Sequence, residues 1–236
     1  SGGSLDGPLG DAKRPGDNFA ARLSSVDPLL LPGEVLALVA EVVEEDNHPD
    51  NLNVHQMWFY AEKRADGSDG LGLGFRGDLI YGVDAQDLQS NGNEAGVFDN
   101  EDDWDRGGGY GWAMPQLYAE VASGDVSARI GHFLSIVGYE KAQAPQNFFY
   151  SHANTMYNSE PRTHTGILVD YSPIEELTLT TGYALGWNTG FSQQDDGSLV
   201  IAAATFELED LLTVSYATTF GDLGDGRGEG YMHSVT

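Results

Sequence analysis

The chain has 236 residues, with 37 acidic side chains against 11 basic ones and a formal net charge of −26; charge of that sign repels phosphate backbones and excludes nucleic acid as a partner. The absence of cysteine excludes disulfides, zinc ribbons, iron–sulfur clusters and cysteine nucleophiles in one step. With 40% apolar and 11% aromatic residues a core can be buried, and 31 glycines with only 20% charged residues resemble an all-β chain rich in turns.

Residues 1–53 form an N-terminal segment that differs from the rest. The chain opens Ser1-Gly2-Gly3-Ser4 with no Met, basic segment or apolar signal core, as when a targeting segment has been removed or the piece is internal. Between Leu29 and Glu45 lies one apolar block, Val35 to Val43, which fits an early strand and a short helix equally well. From Val54 the pattern becomes regular and predicts about nine strands over residues 54–236. They are Val54 to Lys63, Leu71 to Asp84, Ala113 to Ser123, Ser127 to Gly138, Thr165 to Tyr171, Leu177 to Asn188, Leu199 to Leu208, Leu211 to Phe220, and a last one beginning at Tyr231. In the clearest, Leu71, Leu73, Phe75, Leu79, Tyr81 and Val83 share one face while Arg76, Asp78 and Asp84 take the other, the period of a strand with one greasy and one wet side. In the later runs the faces opposite Leu and Tyr carry Thr178, Thr180, Gly182, Thr213, Ser215 and Thr219: small and hydroxylic.

The connections alternate in length. Short ones fall at residues 66–70, 124–125, 173–176 and 209–210; long ones at about 85–112, 139–164, 189–198 and 221–230. A meander of long antiparallel strands with tight turns at one end and long loops at the other predicts an up-and-down transmembrane β-barrel. No run approaches the roughly 18–20 apolar residues a spanning helix needs, which says nothing against strands. Tyr81, Tyr110, Trp112, Tyr139, Trp187, Phe191 and Phe220 fall near the long-loop end, as an interfacial girdle would.

Three stretches resemble a known family: Leu79-Ile80-Tyr81-Gly82-Val83-Asp84-Ala85, Met114-Pro115-Gln116-Leu117-Tyr118-Ala119-Glu120-Val121, and the group Ile130-Gly131-His132-Phe133, Gly138-Tyr139-Glu140, Asn147 to His152 and Glu160-Pro161-Arg162-Thr163-His164-Thr165-Gly166. They are similar to the OmpL-like β-barrel porins of Gram-negative outer membranes, over roughly residues 54–220. The resemblance implies a barrel in the cell outer membrane that passes small hydrophilic solutes or ions without cofactor or covalent chemistry. Its partners would be membrane lipid and those solutes, with association into a homotrimer left open. An open sheet edge in lipid would leave unpaired backbone groups, so a barrel continuing beyond this chain is expected.

Alternation turns Arg76, Asp78, Asp84, Gln116, Tyr118, Glu120, Arg129 and Asp170 inward as pore-lining candidates, acids and arginines facing one another across water. His152, Glu160, Arg162 and His164 sit in a long connection of the kind large porins fold into the lumen, and are candidates for the constriction. The acidic excess predicts cation preference. Glu94, Asp99, Glu101, Asp102, Asp103 and Asp105 crowd one loop; hard oxygen ligands suit calcium, but the spacing is not that of an EF-hand, so a solvated acidic loop is the default. No nucleophile elbow, phosphate loop or zinc signature is present, and an enzyme is not expected. The alternative is a soluble β-sandwich or jelly roll that binds carbohydrate or calcium, in which the apolar faces would be covered by a second protein layer.

Overall fold

The computed structural model describes residues 35–43, 53–93, 98–99, 104–106, 109–147, 152, 154–192, 196–208 and 211–236. They form ten strands: β1 Val35–Val43, β2 Asn53–Lys63, β3 Gly72–Gly82, β4 Gly111–Ser123, β5 Val126–Leu134, β6 Thr163–Ile174, β7 Leu177–Ala184, β8 Ser198–Leu208, β9 Leu212–Asp222 and β10 Glu229–Val235. Each pairs antiparallel with the next in one sheet of order β1 to β10, and the two edge strands are not paired with each other. The fold is all-β and meandering, and its open sheet is consistent with part of a barrel. The nine strands expected from Val54 onward are β2 to β10, and the block open between strand and helix is the strand β1.

The two faces differ as the alternation requires. On β3 Leu73 and Phe75 point out and are exposed, as is Leu71 just before the strand, while Asp78 and Ile80 point in and are buried. Leu117 and Val121 on β4, Ile130 on β5, Ile167 and Tyr171 on β6, Leu179 and Tyr183 on β7, and Val214, Tyr216 and Phe220 on β9 continue the exposed face. Among the described residues no second layer covers it. The inner face changes along the strands. Near the long-loop end it is dry: Trp58, Ile80, Ala113, Leu88 and Met156 form one buried cluster, and Phe133, Leu168, Ala184, Trp187, Leu199 and Ile201 another. Toward the short turns it becomes charged on β2 to β6 and hydroxylic on β7 to β9.

The connection after β5 shapes the sheet. The β5–β6 pairing ends at Leu134 with Thr163, and residues 135–147 leave the wall as a strap across the inner side. Gly138 N–H donates to Ser234 Oγ of β10 at 3.1 Å. Four residues later Gln56 of β2 donates through Nε2 to Ala142 O at 3.0 Å and accepts from Ala144 N–H through Oε1 at 3.2 Å. Four residues span at most about 14 Å, whereas eight strand spacings of about 4.8 Å would put β2 and β10 about 38 Å apart in a flat sheet. The sheet therefore curls around the strap.

Several details depart from the sequence reading. The strand expected over Ser127 to Gly138 stops at Leu134, because Ser135 N–H pairs with Arg162 O and the chain then turns inward. The strand expected over Leu177 to Asn188 stops at Ala184, where Gly186 at φ 132° and Asn188 at φ 54° break the extended geometry. Of the expected girdle, Tyr81 lies 4.8 Å from Trp112 and 5.6 Å from Tyr110 between ring centroids, and Phe220 is outward opposite Tyr231. Two of its members belong elsewhere. Trp187 is buried in the inner cluster, and Tyr139 sits on the strap. Position near a strand end does not tell which side of the wall a ring falls on once the chain has left the pleat.

Candidate functional site

The inner wall carries a network of guanidinium and carboxylate groups. Asp78, its side chain wholly buried, receives Arg76 Nε at 2.7 Å and a second Arg76 nitrogen at 3.0 Å. Trp58 Nε1 and Gln116 Nε2 each donate to the same carboxylate at 2.9 Å. Arg76 also lies 3.5 Å from Glu62 and stacks over the Tyr60 ring at 4.8 Å. Asp78 thus accepts four donor atoms, two of them from the bidentate guanidinium of Arg76. Two strands on, Arg129 donates to Asp170 at 2.9 Å beside the Tyr118 ring, and Thr180 donates to the other Asp170 oxygen at 2.6 Å. Glu120 stands opposite Arg129 in the β4–β5 register and accepts Ala65 N–H at 2.9 Å, tying the wall to the β2–β3 turn.

Asp84 lies beyond the end of β3, just before the helical turn Ala85–Leu88, and accepts from His55 Nδ1 and Gln56 Nε2, each at 2.9 Å. The structure brings Arg76, Asp78, Gln116 and Tyr118 together and Arg129 with Asp170; Asp84 stands apart, at the anchor of the strap.

Of the four constriction-loop candidates, His152 and Arg162 line one small pocket together and His152 and Glu160 both face Glu140, while His164 stands apart on β6. His152 approaches Glu140 of the strap at 3.4 Å. Glu160 packs on Gly138, where an added methyl would collide with its carboxylate. Burial, and then the charge of Glu140, hold the Glu160 carboxyl above its ordinary pKa of 4.5. Arg162 lies 3.8 Å from Asp87. His164 is the second residue of β6 and is fully buried, with Nδ1 2.9 Å from Gly186 O and Nε2 3.2 Å from Ser135 Oγ. A carbonyl only accepts, so Nδ1 carries the proton and Nε2 accepts from the serine. His164 thereby holds the point where the strap leaves the wall.

In the acidic loop, Glu94, Glu101, Asp102 and Asp103 lie outside the described residues. Asp99 is buried and accepts Ser90 Oγ at 2.6 Å, Ser90 N–H at 3.2 Å and Met114 N–H at 2.8 Å; burial raises its pKa against those bonds. Met114 N–H is free for this because the β3–β4 register slips between Asp78 and Ile80, leaving Met114 and Pro115 in a bulge where a proline costs no ladder bond. Asp105 accepts from Gln89 Nε2 at 2.9 Å. Among the described residues no three ligating side chains gather in a metal-binding group.

Alternation did not single out Gln56, which clamps the strap, or His132, which bonds Thr165 Oγ1 at 2.8 Å and lies 3.3 Å from Ser90 Oγ under the folded-over loop. On β2 both faces carry aromatics, so period two gave no contrast there. Between the strap and the inner faces of β7 to β10 lies a cavity of about 410 Å³. A wider one of about 730 Å³ opens at the short turns, rimmed by Asp66, Asp125 and Asp170.

A wall that is apolar without and charged or hydroxylic within, curled about a strap from its own long loop, is the geometry of a pore wall. The sequence profile of the family described as putative beta-barrel porin-2, OmpL-like, matches residues 40–236, from within β1 to the last residue. The chain belongs to this family of porins. The matched region takes in nine complete strands and the whole inner network, so the porin fold and the site are one unit. No curated protein and no solved structure matches the chain.

Proposed function

We propose that this porin forms the wall of an outer-membrane pore through which small hydrophilic solutes or ions diffuse passively, with cations preferred, and that its lipid-facing side is the exposed apolar face. The observation that carries the reading is the opposition of the two faces on the same strands. From Leu71, just before β3, to Tyr81 near its end the outward positions cover ten residue steps, about 33 Å along the chain and about 25 Å of height at a tilt near 40°, which matches the apolar band of an outer-membrane barrel. The turn-side interior supports cation preference: Glu62, Asp78, Glu120, Asp170 and Glu207 stand against only Arg76 and Arg129 on the inward positions of β2 to β8. Charges of both signs across a narrow wet space orient and filter solutes; no covalent chemistry is needed.

Reconstitution in a planar bilayer with a tenfold salt gradient tests this. A cation-selective reversal potential is expected. A zero or anion-selective one defeats the preference, and absence of current in correctly folded protein defeats the pore.

A further inference from the structure

Passive diffusion with charge selection leaves one inner-wall feature unexplained. The charged side, β2 to β6, is already paired with itself: Arg76 with Asp78 and Glu62, Arg129 with Asp170. The opposite side is a field of small hydroxyls, and it faces the cavity of about 410 Å³ under the strap. Ile136 of the strap lines that cavity and packs against the buried cluster of Phe133, Leu168 and Ile201. The space is a pocket between the strap and the inner wall.

We propose that this pocket binds neutral polyhydroxylated solutes, a mono- or disaccharide in class. The proposal rests on the pore reading for the solute's access, not for its binding. Thr180, Thr205 and Ser215 line the wall side, and Tyr139 and Lys141 the strap side, with Glu207 also at the lining. A hydroxyl both donates and accepts and rotates to suit, so a row of them answers a ring whose own hydroxyls alternate in the same way. One ammonium and one carboxylate give no net charge to favour an ion. Tyr139, 69% exposed, offers a flat apolar face to the C–H side of a sugar ring. Thr205 and Ser215 hydroxyls lie 2.9 Å apart and satisfy each other, a pairing that can be exchanged for one with solute. A volume of this size suits a small ligand.

The test is isothermal titration of the full chain in detergent with maltose, and with a polyethylene glycol of matched mass as the control lacking hydroxyl rings. Saturable heat is expected with maltose alone, with a dissociation constant on the order of millimolar. The double variant Thr205→Val with Ser215→Ala removes both partners of one hydrogen bond, so neither is left unpaired, and it should weaken maltose binding by roughly tenfold. The pair Ser172 and Thr178, whose hydroxyls are 3.1 Å apart on the same face but outside this pocket, is the control. Ser172→Ala with Thr178→Val should leave binding unchanged. No saturable heat, equal response to the glycol, or unaltered binding in the Thr205 and Ser215 variant overturns the proposal. Ion current is read separately on the same preparation, so loss of the pore reading shows as absent current and loss of the sugar site as absent heat.

Discussion

Asp78 shows how a carboxylate on an inward position comes to organise a wall. Four donor atoms from three side chains converge on it with no exposure of its own, so removing it would leave Arg76, Trp58 and Gln116 donors buried and unmatched. Loss of one partner of such a buried pair costs about 3 kcal/mol or more. Asp78→Ala is therefore expected to unfold at lower temperature than the parent in heat-modifiable gel mobility, and an unchanged transition would show that the network is ornamental. Glu160 gives a pH dependence of opposite sense to the usual carboxylate. Burial and Glu140 raise its folded pKa above 4.5. The folded state then binds the proton more tightly, so its seating on Gly138 strengthens as pH falls and is lost as pH rises through that raised pKa. Conductance should decrease as pH is lowered from neutral toward 4.5, with Glu160→Gln largely flat over the same titration. Arg76, Asp78, Arg129 and Asp170 were legible as residues of one face because each lies on a clean period-two strand; which of them would pair was not. Alternation could not place His164, because a histidine beside a loop reads as loop until the strand boundary is known.

Elements were legible wherever one face was apolar and the other polar, which is why β3 to β10 fall close to the runs expected for them. The strap was not. Residues 135–147 lack regular structure apart from a short 3₁₀ turn at Ala144–Gln146, and their position is fixed by long-range bonds from Gln56 and Ser234 that no local pattern announces. Gln56 acts as a clamp with one donor and one acceptor on the strap backbone, both supplied at neutral charge by its side-chain amide. Gln56→Leu keeps the volume and removes both bonds. The strap should then sample positions away from β2, raising single-channel conductance and its open-state noise. A variant channel indistinguishable from the parent would mean that the remaining contacts hold the strap without Gln56.

The described strands form one curled sheet whose chemistry is sorted twice: across the wall, apolar outside and polar inside, and along it, dry at the loop end and wet at the turn end. The first sorting is written in the sequence as alternation and the second is not, since Phe133, Leu168 and Ile201 break the polar inner pattern only because loops fold down onto them. The same sorting separates this porin from a soluble sandwich, in which Leu73, Ile130 and Val214 would lie under protein instead of exposed. Because the chain has no cysteine, single spin-labelled cysteines can be placed without background. The most direct test is a scan of β9 from position 212 to 220 in lipid vesicles, reading collision of each label with oxygen, which partitions into hydrocarbon, against a water-soluble nickel chelate. Labels at 212, 214, 216 and 220 should favour oxygen and those at 213 and 215 the chelate, with a period of two. Uniform access to the chelate, or no alternation along the strand, would contradict a wall that stands between lipid and water.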